Sequence, residues 1–284
     1  MKMPAVAAAG TLASLIPPSA ALVVYGAIVD ESIGRLLLAG FIPGVFSALL
    51  YAGFIMLRFA GNPELGRPIT GIDWAERGKS LLDVMPIILV MLMILGGMST
   101  GWTTPTEAGA TGAAIVFVYA LFRRRIDFAG LQDSLVETAK LTVMIFTIIW
   151  GVLIYVRFLG FADLPGAFAD WISGLEASPI LILVCILLAY AVLGMFMDAI
   201  GMLLLTLPVV YPAVMALNGG EFVSAADSAF GMSGPMCAIW FGILVVKMAE
   251  FCLITPPIGL NCFVVAGVRP DLSVQDVFKG VTPF

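Results

Sequence analysis

The chain has 284 residues, of which 61% are hydrophobic and 12% charged, with mean hydropathy +1.08 and net charge −5. A soluble domain of this size cannot bury so much apolar side chain, so lipid is the expected solvent and a nucleic-acid partner is excluded. Histidine is absent and the four cysteines stand singly, which removes Ser-His and Cys-His nucleophile pairs and any CxxC metal or redox motif.

In chain order, "ASLIPPSAALVVY" (13–25) carries a Pro-Pro pair inside an apolar stretch. The opening "MKMPAVAAAG" lacks the regions of a cleaved signal peptide. Residues 33–58 are long enough to span a bilayer, and a polar stretch with Arg58, Arg67, Arg77 and Lys79 follows. Residues 81–98 span again, the break "GGMSTGWTTPTEAG" comes next, and 105–122 return to Arg123-Arg124-Arg125. Positive charge marks cytoplasmic loops, which puts 58–79 and 123–125 inside. Residues 127–137 read as an interfacial run and 138–157 as the next crossing. An amphipathic segment at 161–178 is expected at the interface, and 179–197 cross back. The following apolar run is interrupted by Asp198, Pro208 and Pro212; a polar loop covers 218–235. Residues 237–254 are apolar but carry Lys247 and Glu250, three apart and read as a helical ion pair. Then comes the second Pro-Pro stretch, "CLITPPIGLNCFV" (252–264).

The two Pro-Pro stretches open an internal repeat. Each is followed by an apolar segment, an acidic loop (Asp30, Asp271), an amphipathic turn, a glycine (Gly40, Gly280) and a proline three residues later (Pro43, Pro283). This divides the chain into residues 1–58 as the later part of a first repeat, 59–79 as a cytoplasmic linker and 80–284 as a second repeat lacking its last helix. The first unit has far fewer residues before its Pro-Pro pair than the second, so truncation at both ends is expected. The fold class is an all-α polytopic membrane protein with broken helices.

Proline lacks an N–H and pushes away the carbonyl four residues back. Pro17 and Pro18 are expected to free the carbonyls of Ala13 and Ser14; Pro256 and Pro257 those of Cys252 and Leu253. In lipid, such a carbonyl needs a partner, and a hard cation held with hydroxyl and amide oxygens is one. Ser19, Thr255 and Asn261 are the nearby oxygen donors. Asp198 is an intramembrane acid, able to bind a cation or to cap the next helix. In "TTPTEAG", Thr104, Pro105 and Glu107 have the spacing of a capping box.

The words "GTLASLIPPS", "SIGRLLLAGFIPG", "GGMSTGWTTPTEAGA", "LGMFMDAIG", "EFCLITPPIGLN" and "VFKGVTPF" resemble the large membrane subunit of tripartite ATP-independent periplasmic (TRAP) transporters, in the family's order and from Gly10 to Phe284. The resemblance implies an inverted-repeat elevator transporter of the bacterial inner membrane. It would be a sodium-driven symporter without further cofactor, working with a small membrane subunit and a periplasmic solute-binding protein on organic acids. Carried over by position, cation binding falls to Ser14, Ser19, Gly194, Asp198, Cys252, Thr255, Pro256 and Asn261, and substrate binding to Thr104, Thr106 and Gly259. The chain has Ala199 where the family often has proline, and Cys252 where it often has glycine. Two other readings remain: a non-transporting scaffold remnant, and an intramembrane enzyme using Asp198 with Glu250 or Glu107 as an acid pair.

Overall fold

The computed structural model describes residues 2–62, 74–269 and 271–284. Most of the expected linker at 59–79 therefore lies outside the described residues. Among those residues the chain forms α-helices and one short 3-10 segment, with no strand. Two compact units are defined, Met1–Gly66 with Ile154–Phe284, and Arg67–Leu153.

In the first unit, α1 (Lys2–Gly10) gives way to a 3-10 turn at Thr11–Ser14, and the chain resumes as α2 (Ala20–Val29). Next comes α3 (Ile33–Gly61), which continues through Pro43. α7 (Leu164–Ser173) packs along α9 (Ala199–Asn218) and buries Ile172. α8 (Pro179–Gly194) lies between them in sequence and starts on a Ser178 cap. α10 (Gly234–Cys252) is the centre of the unit, touching α2, α3, α8, α9 and the 3-10 turn. α11 (Leu260–Val268) and α12 (Val274–Val281) pack on each other and on α1. Ala7, Ile254, Cys262, Ala266, Val277 and Val281 form a small core where these three helices meet.

The two Pro-Pro segments share a local pattern. Each Pro-Pro break leads to a short helix, then an acidic loop, then a helix capped by the serine two residues after the aspartate. Ser32 accepts from the Arg35 N–H at 3.4 Å, and Ser273 from the Asp276 N–H at 3.1 Å. Both serines satisfy one of the orphan amide donors that every helix start exposes. Both Pro-Pro peptide bonds are cis.

In the second unit, α4 (Trp74–Ser99) and α5 (Pro105–Phe122) form a helical hairpin. α6 (Phe128–Phe161) departs from the expected interfacial run at 127–137: one uninterrupted 34-residue helix begins at Phe128. Along its polar start Ser134, Thr138 and Thr142 satisfy their hydroxyls within the helix, on the carbonyls of Gly130, Ser134 and Thr138, at 2.8, 2.7 and 2.8 Å. By helical rise it is about 51 Å long, more than a hydrocarbon core of about 30 Å.

A second departure is at α9. Pro208 and Pro212 do not interrupt it, and the helix runs from Ala199 to Asn218. Prolines inside membrane helices are tolerated where neighbouring helices support the freed backbone, and α9 is covered by α2, α7, α8 and α10. Its end is fixed by buried Asn218, which donates to the Met232 carbonyl at 3.0 Å and accepts from the Phe230 N–H at 3.3 Å. Among the described residues, five helices (α3, α5, α6, α9 and α10) are long and apolar enough to cross a membrane. The class is an all-α polytopic membrane protein.

Candidate functional site

The two Pro-Pro breaks lie side by side. Asn261, in the first turn of α11, donates its Nδ2 to the Ala7 carbonyl of α1 at 3.1 Å. Gly10 ends α1 beside the same amide: a Cβ there would stand 3.0 Å from Asn261 Nδ2. A larger residue at position 10 would push this crossing apart.

Within the first break, Ser19 has two tasks. Its Oγ accepts from the Leu22 N–H at 3.2 Å, capping α2, and donates to the Ser14 carbonyl. The Ser14 carbonyl, expected from sequence to be freed by proline, is thus taken by a hydroxyl. A serine five residues on, which the sequence pattern alone could not orient, does this. Ser19 is buried and Ser14 half-buried.

In the second break, Thr255 donates its hydroxyl to the Phe251 carbonyl, which also takes the Thr255 N–H at 2.9 Å. The Leu253 carbonyl, one of the two acceptors expected to be freed, receives the Asn261 N–H at 2.9 Å. Proline removes the helical donor, and the chain folds back so that Asn261 supplies another. Pro256 and Pro257 are exposed. Gly259 takes the left-handed conformation (φ 42°) against the Phe278 ring, and a side chain there would meet both strain and that ring.

A third segment joins the second break. Gly194, at the end of α8, lies against Cys252, so that a Cβ at 194 would overlap the Cys252 sulfur. Four residues on, Asp198 caps α9 by accepting from the N–H groups of Ile200 and Gly201, at 3.1 and 3.2 Å. Asp198 is exposed, which leaves the carboxylate accessible beyond those two donors. Gly194, Cys252, Thr255, Asn261 and the first break therefore belong to one unit of packed helices.

Thr104 and Thr106 belong to the other unit, at the turn between α4 and α5. Thr104 is the N-cap of α5: it accepts from the Glu107 N–H at 3.3 Å, while its own N–H and hydroxyl donate to Glu107 Oε2 at 2.8 and 2.9 Å. The capping box read from the spacing is formed, and it occupies the Thr104 hydroxyl. Thr106 is exposed in the first turn. A cavity of about 370 Å³ sits in this hairpin, lined by residues including Gly96, Gly97, Thr100, Trp102, Thr103 and Thr111. The Thr103 hydroxyl is buried without a hydrogen-bond partner among the described residues.

One polar contact escaped the sequence reading. Lys247 and Glu250 were legible only as an i,i+3 pair. Glu250 is buried and Lys247 half-buried, and Lys247 also donates to Ser47 Oγ on α3 at 3.0 Å. That contact lies 200 residues away in sequence, and no local signal announces it.

These features define a polytopic membrane protein with two broken helices brought together, an architecture used by secondary transporters. The sequence matches the family described as "Tripartite ATP-independent periplasmic transporter, DctM component" over residues 3–284, and the chain belongs to that family. It is 32% identical to the C4-dicarboxylate TRAP transporter large permease protein DctM of Pseudomonas aeruginosa, over 92% of this chain and 57% of that protein. It is 30% identical to the sialic acid TRAP transporter permease protein SiaT of Haemophilus influenzae, over 98% of this chain and 42% of that one. Identity to the 2,3-diketo-L-gulonate TRAP transporter large permease protein YiaN of Escherichia coli is 29%, over 98% and 61%. The chain thus spans less than two thirds of the length of these relatives. They are named as permeases, not as enzymes.

Proposed function

We propose that this chain is membrane-embedded machinery of a sodium-coupled TRAP transporter that imports an organic acid across a bacterial inner membrane. In this reading a periplasmic solute-binding protein delivers the substrate and a small membrane subunit completes the permease. Relatives are named for C4-dicarboxylate, sialic acid and diketogulonate, and others for isethionate and ectoine, so an organic solute bearing an acid group, carboxylate or sulfonate, is the substrate class this reading takes. The single observation that carries the reading is the crossing of Asn261 onto the Ala7 carbonyl, which sets two irregular, oxygen-rich backbone segments against each other. Irregular backbone at membrane depth is tolerated where it is buried in protein or lines a cavity, and in transporters such segments coordinate the coupling ion.

The energetics suit this reading. Each net positive charge moved inward at 100 mV contributes about 2.3 kcal/mol, before the sodium gradient itself is counted.

The test is uptake of labelled organic acids into proteoliposomes carrying the chain with its small subunit and binding protein. Accumulation should require an inward sodium gradient and the binding protein, and collapse when sodium is replaced by potassium. Equal uptake without a sodium gradient overturns the proposal.

A further inference from the structure

Glu250 is 2% exposed, among the most buried charged residues described. Its Oε2 takes the Lys247 ammonium at 2.5 Å, while its Oε1 is buried with no hydrogen-bond partner among the described residues. Lys247 leaves α10 to reach α3. There it donates to Ser47 Oγ at 3.0 Å and stands 5.7 Å from the ring centroid of Tyr51, one turn further along. The Tyr51 hydroxyl is 3.5 Å from Thr11 Oγ1, at the start of the 3-10 turn that opens the first break. Thr11 is fully buried and donates to the Ala8 carbonyl at 2.8 Å, which leaves Tyr51 as the donor between them. A run of hydrogen bonds and one cation–ring contact therefore leads from α10, just before the second break, across α3 to the first.

An ion pair that buries its carboxylate is a poor device for stability, because desolvation of that charge cancels most of the attraction and an apolar pair of similar volume often serves as well. A carboxylate oxygen left without a donor adds to that cost. What a directional pair supplies that apolar packing does not is a fixed register between the elements it joins. We propose that Lys247 and Glu250 are positioning residues that hold the two Pro-Pro breaks in one mutual register, acting through Ser47, Tyr51 and Thr11. The inference rests on the sodium-coupled reading for its transport readout, but not for its structural one.

The experiment uses the chain assembled with its partner subunits and compares wild type with K247R, K247M/E250L and S47A/Y51F. The double apolar variant removes the charges together, so no unpaired charge is left to unfold the protein. The expected result for K247M/E250L is a sodium half-saturation constant raised at least five-fold, with maximal uptake at saturating sodium within two-fold of wild type. S47A/Y51F should raise the constant two- to three-fold, and K247R should restore it to within two-fold of wild type. Folded K247M/E250L with an unchanged sodium constant overturns the proposal; if that variant does not fold, an unchanged constant in S47A/Y51F does so. The second readout needs no transport: spin labels at A13C and I258C, one on each break, in a C185S background. Their distance distribution should broaden in both multiple variants, and an unchanged distribution overturns the proposal. Loss of sodium dependence in the wild type, with broadening intact, would sink the sodium-coupled reading and leave the positioning role standing.

Discussion

The side-chain amide of Asn261 donates to the backbone carbonyl of Ala7, 254 residues away, at 3.1 Å. This bond ties the segment after one Pro-Pro pair to the helix before the other. A substitution that removes it acts on both breaks at once.

Asn261→Ala is expected to leave the Ala7 carbonyl short of a partner, a loss of about 1–3 kcal/mol. Asn261→Asp should be worse, because it places an acceptor opposite an acceptor. Thermal unfolding of the purified protein in detergent checks both. Midpoints equal to wild type for the two variants would show that the crossing carries no weight.

The contact between Gly194 and Cys252 gives a paired test. A methyl at 194 would run into the Cys252 sulfur, and overpacking of this kind costs about 1–3 kcal/mol. Gly194→Ala should therefore be destabilised, and adding Cys252→Gly should recover most of the loss because it clears the space. Additive destabilisation in the double variant would show that the two residues do not share the site.

Much of the architecture was readable from the chain alone because lipid imposes long apolar runs. The spans at 33–58, 105–122 and 237–254 reappear as α3, α5 and α10 within a few residues. The Thr104–Glu107 capping box and the Asp198 cap were also legible, since caps are local and their spacing is fixed. The breaks could be located by their prolines, but the partners of the freed carbonyls could not. Ser19 reaching Ser14 and the Asn261 amide reaching Leu253 depend on how the chain turns after the proline. The prolines of α9 misled in the other direction, because their effect is decided by the helices packed around them. The Lys247–Ser47 contact is purely tertiary.

Tyr25 offers a test of how α2 is held against α10. Its hydroxyl donates to the Ala238 carbonyl at 2.7 Å, and its ring fills the space that the absent side chain of Gly242 leaves open. Tyr25→Phe keeps the ring and should cost about 1 kcal/mol for the lost hydrogen bond. Gly242→Ala should cost more, because the ring would have to leave a site where it is fully buried. The order of unfolding midpoints, wild type above Tyr25→Phe above Gly242→Ala, checks the argument, and the reverse order would contradict it.

Asp198 separates capping from charge. Asparagine caps a helix about as well as aspartate, so Asp198→Asn should keep the bonds to Ile200 and Gly201 and leave stability within about 0.5 kcal/mol. Asp198→Ala loses the cap and should be destabilised by about 0.5–2 kcal/mol. If Asp198 also serves the coupling cation, both variants should raise the sodium half-saturation constant, with Asp198→Asn doing so at nearly wild-type stability. Sodium-dependent uptake measured beside thermal unfolding on the same preparations separates the two roles. A sodium constant that moves only in Asp198→Ala, together with its stability, would assign the residue to the cap alone.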